Sequence, residues 1–358
     1  MDVYILIWFM VMSFYLFTSY KKYNYLSDKQ RLETNSHIFT FIMSVLLFIS
    51  GFRAKHIGAD HINYIDEFNV VKNTGDSYFE EKGYVFFNKL VAFFSDDSLV
   101  LIFLISLLII FSVARYIKKN VHYEYYAFAL IIFSFQPYLY IQSTFNILRQ
   151  GCATAILLFS MQYLFEKKWI KYLVIGSIAF TFHSSMIFVI AYLIVIRKMN
   201  LTPNIIRAFT VLCLVLNFMK IGNLFFTLFS SHYQTFSTFD ETLLNNPIYI
   251  LVIVIVIFFF TSIYSKLYKT IREKFFVDLF LMGLVFLIFA VQNDMLYRVY
   301  VVLAFCSIPG ITIIGKNLTQ YSFIKTSFML YYNVFYLGNV LLWHINKIRG
   351  YVPYEFIF

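Results

Sequence analysis

YLVIGSIAFTFHSSMIFVIAYLIVI, residues 172–196, carries no charged side chain, yet it is flanked by Lys167, Lys168 and Lys171 before it and by Arg197 and Lys198 after it. A helix needs about 20 apolar residues to cross the hydrocarbon core of a bilayer, so the run is long enough to cross once. Lys and Arg gather in cytoplasmic connectors, however, and a single crossing would put one of the two basic flanks outside. It would also place Lys266, Lys269, Arg272 and Lys274 outside, and the connector 231–246, which has no Lys or Arg, inside. A helical hairpin of two short segments turning at His183-Ser184-Ser185 removes both violations. Irregular backbone at membrane depth is tolerated where it lines a polar cavity. The run therefore predicts a broken segment that returns to the side it entered from, with His183 at an extracytoplasmic cavity.

Outward from this run the chain is a series of similar ones, near residues 3–20, 38–52, 98–115, 124–141 and 150–166, then 206–230, 247–265, 276–292, 298–315 and 326–343. The reading is an all-α polytopic membrane protein of about 10–12 transmembrane helices, a single transmembrane domain over residues 1–358. Composition agrees: 60% of the 358 residues are hydrophobic and 13% charged, far from the balance of a soluble domain. The formal charge of +10 sits in clusters between apolar runs, the pattern that sets membrane orientation and not one that grips nucleic acid. Cys152, Cys213 and Cys306 fall singly inside apolar segments, as packing residues do. No basic residue precedes residues 3–19, so they read as a first span and not as a signal peptide.

Basic connectors at Lys21, Lys22, Lys29 and Arg31, at Arg115, Lys118 and Lys119, and at Lys167, Lys168 and Lys171 mark the cytoplasmic side. The longest polar segment, 53–97, then lies extracytoplasmically. It opens with Arg53 and runs through Gly58-Ala59-Asp60-His61 to Tyr64. Residues 83–94 space their apolar side chains as a helix lying in the membrane interface would. With the hairpin counted as in-and-back, the connectors around Arg149 and Arg298 share the face of the polar segment.

These few polar residues must carry any chemistry. Arg149 stands at the entrance of a span, where its cost invites a partner. A guanidinium stays charged and grips phosphate oxygens through parallel hydrogen bonds, so Arg53, Arg149 and Arg298 together would suit a diphosphate. Snorkelling to lipid headgroups is the plain alternative for each. His183 is the histidine inside a long apolar run and can exchange a proton near neutral pH; a hydrogen-bonded structural histidine is the competing reading. Asp60, near Arg53, and Asp294, four residues before Arg298, are the best-placed carboxylates, as bases or as ion-pair partners. His56 and His61 flanking Asp60 make a thin metal set, and no HExxH, paired-cysteine, phosphate-loop or Gly-x-Ser-x-Gly motif occurs. No metal and no cofactor are expected.

Phe52-Arg53 with Gly58-Ala59-Asp60, Tyr64 and Phe68 after the second span resembles the EpsG family of Wzy-type polysaccharide polymerases. Phe145-Asn146-Ile147-Leu148-Arg149-Gln150, Phe180-Thr181-Phe182-His183-Ser184-Ser185 and Tyr297-Arg298-Val299-Tyr300 fit the same family, in order, over roughly residues 1–340. Ala59 and His61 stand where the family pattern is more threonine-like. The resemblance implies a membrane glycosyltransferase fold of the GT-C type in the bacterial inner membrane, its active site facing the periplasm or exterior. It implies a polymerase that joins polyprenyl-diphosphate-linked oligosaccharide repeat units into O-antigen, capsule or exopolysaccharide. Membrane lipid and a chain-length regulator protein are the other partners it implies. Carried over, the sites are His183 and Asp60 as catalytic candidates, Arg53, Arg149 and Arg298 on the diphosphate, and Tyr64, Gln150, Asp294 and Tyr297 in support. A flippase for the same lipid-linked units and a membrane O-acyltransferase using His183 as base are the competing classes.

Overall fold

The computed structural model describes residues 2–20, 23, 25–136, 139–221, 247–291, 294–318, 322–346, 351 and 353–357, without the side chains of 294, 322–325, 345 and 346. It is all-α: the described residues form fifteen α-helices, and their one β contact is an isolated antiparallel bridge between Arg53 and Phe356. Helices Asp28–Gly51, Ser98–Asn120 and Met295–Asn317 are each long and apolar enough to cross a membrane, and several shorter apolar helices accompany them. The protein is a polytopic membrane protein. Its chain groups into two compact units, residues 1–186 with 322–358, and residues 187–321.

In the first unit α1 (Val3–Ser19) precedes α2 (Asp28–Gly51). α2 begins ten residues before the apolar run that announces it, because its first turns are polar. Ser27 caps them, its hydroxyl accepting from Gln30 N–H while the Gln30 side chain accepts from Ser27 N–H. Arg31 then bridges to Glu124 at 2.9 Å, and buried Asn35 donates to the Tyr23 hydroxyl at 2.7 Å and to Tyr123 O at 3.1 Å. α3 (His61–Thr74) and α4 (Lys82–Phe94) form the polar segment and pack on α5 (Ser98–Asn120). α4 buries Tyr84, Asn88 and Val91 and exposes Phe86, Leu90, Phe93 and Phe94. An apolar outer face is what a helix seated in the membrane interface presents.

The run 124–141, expected as one span, is instead two helices, α6 (Tyr126–Phe135) and α7 (Tyr140–Phe145). Pro137 lies between them in the sequence, and proline removes a backbone donor and turns the preceding residue away from helical dihedrals. Every residue of α6 is buried, as befits a helix that is hydrophobic all round. α8 (Leu148–Phe165) follows α7 after a two-residue break and lies against it: a Cβ on Gly151 would come within 2.5 Å of Ser143 O. The opening run 172–196 is also broken, at His183–Ser185, into α9 (Trp169–Phe182) and α10 (Met186–Lys198).

The second unit holds α10, α11 (Pro203–Phe218), α12 (Pro247–Ser262), α13 (Ile271–Ala290) and α14 (Asp294–Asn317). α13 and α14 pack at short range, Gly310 backing onto Phe276 O. At one end of α13 a half-buried Lys274 pairs with buried Asp278 at 2.8 Å, the Tyr264 hydroxyl joins them, and Lys274 also donates to Leu201 O at 3.0 Å. α15 (Ser322–Asn346) returns to the first unit. There Trp8 donates to Asn333 at 2.7 Å and the Tyr336 hydroxyl donates to Tyr4 O at 2.8 Å. Of the basic residues after α15, Lys347 and Arg349 lie outside the described residues.

Candidate active site

The chain leaving α2 turns sharply over residues 52–60, and it does so around Arg53. This arginine is fully buried. Its guanidinium bends back to donate to Ser50 O and, through Nε at 3.3 Å, to Ile57 O, and it lies over the Phe145 ring at 4.9 Å. It thus satisfies one carbonyl left open at the C-terminus of α2, where a cation also suits the helix dipole, and one carbonyl of the turn itself. Among the described residues no carboxylate pairs with it, and its second terminal nitrogen has no hydrogen-bond partner. Burial lowers its pKa to about 10, against a counter-pull from the hydroxyls of Tyr354, Tyr140, Tyr4 and Tyr351.

Tyr351 and residues 354–357 close this turn from far along the chain. Ala54 N–H donates to Glu355 O at 2.9 Å and Ile357 N–H to Phe52 O at 3.2 Å, while the Tyr354 hydroxyl donates to Ile49 O. Buried Tyr351 accepts from Asn146, in the break between α7 and α8. Gly58 completes the packing: its φ of +102° is one that L side chains rarely adopt, and a Cβ there would stand 2.6 Å from Phe145 O.

His61, the first residue of α3, is fully buried beside Arg53. The carbonyls of Ala54, Lys55 and Ile57 face it, but neither ring nitrogen makes a well-aligned hydrogen bond among the described residues. Burial, and behind it the Arg53 charge, push its pKa down to about 2, so the ring stays neutral. His56 is exposed and lies 3.5 Å from Glu355. The two histidines thus point to different surroundings.

α3 ends on Gly75 in the left-handed conformation. The loop that follows is held by buried Glu67, which accepts from the Ser77 hydroxyl and, at 3.0 Å, from Tyr78 N–H. That loop delivers Phe79 and Glu81 to Arg149. Phe79 lies under the Arg149 guanidinium, 3.9 Å from ring centre to Cζ, and Glu81 pairs with Nη1. Tyr64, tilted against Phe79 at 5.8 Å and edge-on to Tyr84 at 5.9 Å, gives Arg149 a further hydrogen bond through its hydroxyl. Arg149 retains 23% side-chain exposure in the first turn of α8, where a cation opposes the helix dipole and an anion is welcome.

The expected residues fall into separate places. Tyr64 and Arg149 meet; Gln150, beside Arg149, is buried. Asp60 is exposed at the N-cap position of α3 without capping it by its side chain. His183 is buried at the C-terminus of α9, its N–H donating to Ala179 O at 3.2 Å and its Nδ1 2.8 Å from the Ser185 hydroxyl. Arg298, half-buried, and Tyr297, its ring tilted against that of Tyr300 at 5.7 Å, belong to α14 in the second unit; the side chain of Asp294 lies outside the described ones. Sequence reasoning did not single out Glu81, Phe79, Glu67 or Asn146. Each is one of many similar residues in its stretch, and nothing in spacing ties Glu81 to a residue 68 positions away. An acid following an aromatic at i and i+2, ahead of an apolar helix, was the available signal.

A family model described as the EpsG family matches residues 36–356. Neither a curated protein nor a solved structure matches the chain.

Proposed function

Since the chain belongs to the EpsG family, the family of Wzy-type polysaccharide polymerases, we propose that it joins polyprenyl-diphosphate-linked oligosaccharide repeat units on the extracytoplasmic face of the bacterial inner membrane. The observation that carries the reading to a residue is Arg149: a partly exposed guanidinium at the N-terminus of an apolar helix, backed by Phe79 and steadied by Tyr64.

The acceptor sugar hydroxyl attacks the anomeric carbon of the donor, the bond from that carbon to the diphosphate oxygen breaks, and its electron pair leaves on the phosphate. The proton goes to a base, His183 or Asp60. Negative charge grows on the leaving oxygen, and preplaced cations there contribute most. Arg149 takes that role. Arg53, buried and engaged with Ser50 and Ile57, acts at one remove by shaping the turn that presents Asp60. Tyr64 supports Arg149 directly, and buried Gln150 lies beside it.

The test is a gel of lipid-linked surface glycan from cells lacking the chain and from cells with it restored. Collapse of the ladder to single repeat units supports the polymerase. Trapping of lipid-linked units inside the cell would support the flippase instead, and an intact ladder missing only acyl groups would support the acyltransferase. Arg149→Ala in the restored cells abolishes the ladder while the protein stays in the membrane, since loss of one charge-stabilising donor costs about 10²- to 10³-fold in rate. Wild-type chain lengths in that variant overturn the clamp.

A further inference from the structure

The seat for an anion on Arg149 is already occupied. A guanidinium offers its N–H groups only in its plane, and one face of Arg149 is covered by Phe79 at 3.9 Å. An anion must therefore arrive at the edge, where Glu81 holds Nη1 and Tyr64 supplies a hydroxyl, and where Nε has no hydrogen-bond partner among the described residues. Glu81 is 14% exposed and reaches this edge from the loop that buried Glu67 holds through Ser77 and Tyr78.

Glu81 also has a second place to go. It is the N-cap residue of α4, with a φ of −74° and a ψ of 93°, and its side chain makes no capping bond there. A carboxylate at that position can accept from the open N–H groups of the first turn and sits at the positive end of the helix dipole. Moving from Arg149 to the end of α4 exchanges one charge-assisted partner for another, within the reach of one side chain.

We propose that Glu81 is a built-in competitor for the anionic ligand of Arg149: it stands where a phosphate oxygen binds, and it yields to a diphosphate by turning to cap α4. This inference rests on the reading of Arg149 as a diphosphate contact. A tenanted arginine rejects singly charged anions and weakly bound headgroups, because only a ligand that outbids a carboxylate takes the seat. Selection of this kind comes from a competing interaction as much as from an attractive one.

The experiment is binding of farnesyl diphosphate, a short polyprenyl diphosphate, to the full chain in lipid nanodiscs, with farnesyl monophosphate alongside. Glu81→Gln keeps a neutral acceptor near Arg149 without its charge, and Glu81→Asp keeps the charge but shortens the reach and improves the cap. Both bind the diphosphate about tenfold more tightly than the wild type, the response to removing about 1.4 kcal/mol of competition. The monophosphate gains at least as much in Glu81→Gln, so discrimination between the two ligands narrows. A purely structural ion pair predicts the opposite sign, because Arg149 would lose its anchor. Unchanged or weaker diphosphate binding in Glu81→Gln, with Arg149→Met unable to bind, overturns the competitor and leaves the clamp standing. Arg149→Met binding as the wild type does overturns the clamp, and the competitor with it.

Discussion

Acidification should strip stability from the first unit through one residue, His61. Its ring is fully buried, beside the Arg53 charge, and its pKa falls from an ordinary 6.5 to about 2. The sign follows directly: below pH 6.5 the unfolded chain takes up a proton that the folded chain refuses, so stability is complete above that pH and declines as pH falls toward 2. Each pH unit is worth at most about 1.36 kcal/mol, so the drop between about pH 8 and pH 5 is roughly 2 kcal/mol from this group alone. Neither ring nitrogen has an aligned partner among the described residues, so His61→Phe removes the titration without orphaning a hydrogen bond. Thermal unfolding in detergent, followed by tryptophan fluorescence, reads the difference, since Trp343 packs 4.8 Å from Tyr351 in the same unit. The variant should lose about 2 kcal/mol less than the wild type over that interval. Parallel losses in the two proteins would refute the reasoning, because other acid-sensitive groups are common to both.

Gly58→Ala forces an L side chain into a φ of +102° and drives its Cβ to 2.6 Å from Phe145 O; Gly75→Ala, at a φ of +75° with nothing within 4 Å, bears the strain alone. Melting of both variants should show about 1–2 kcal/mol lost at Gly75 and clearly more at Gly58. Equal losses would mean that the turn gives way to a methyl group. Glu67→Gln leaves Ser77 and Tyr78 with a weaker acceptor and lets the loop carrying Phe79 and Glu81 wander. Farnesyl diphosphate binding should shift in this variant while Arg53-dependent stability at neutral pH holds within about 1 kcal/mol; unchanged binding would separate the loop from the site.

How much of this was legible depends on what each residue answers to. Apolar runs answer to the bilayer, and they marked the helices well, including the break at His183–Ser185, where opposing charge clusters demanded one. The polar start of α2 escaped because its helix is specified by a cap and by Arg31 and Asn35, which hydropathy does not weigh. The split of 124–141 escaped because α6 is apolar on every side and gives no period to count. At the site, Arg149 stood out as a charge beside a span, whereas its partner Glu81 lies among many acids of an exposed segment. The turn around Arg53 is closed by residues 354–357, and no local pattern joins stretches so far apart.

That closing segment imposes an order on synthesis. Arg53 leaves the ribosome early, yet Tyr354, Glu355 and Phe356, which meet the turn around it, are made about 300 residues later. Throughout that interval the turn lacks the backbone pairing that Glu355 and Ile357 give it, while eight further helices of its unit are laid down. The pairing at Phe52 and Ala54 therefore forms only after those helices have been made. A nascent chain arrested short of residue 351 would accordingly leave Phe52 O and Ala54 N–H without these partners.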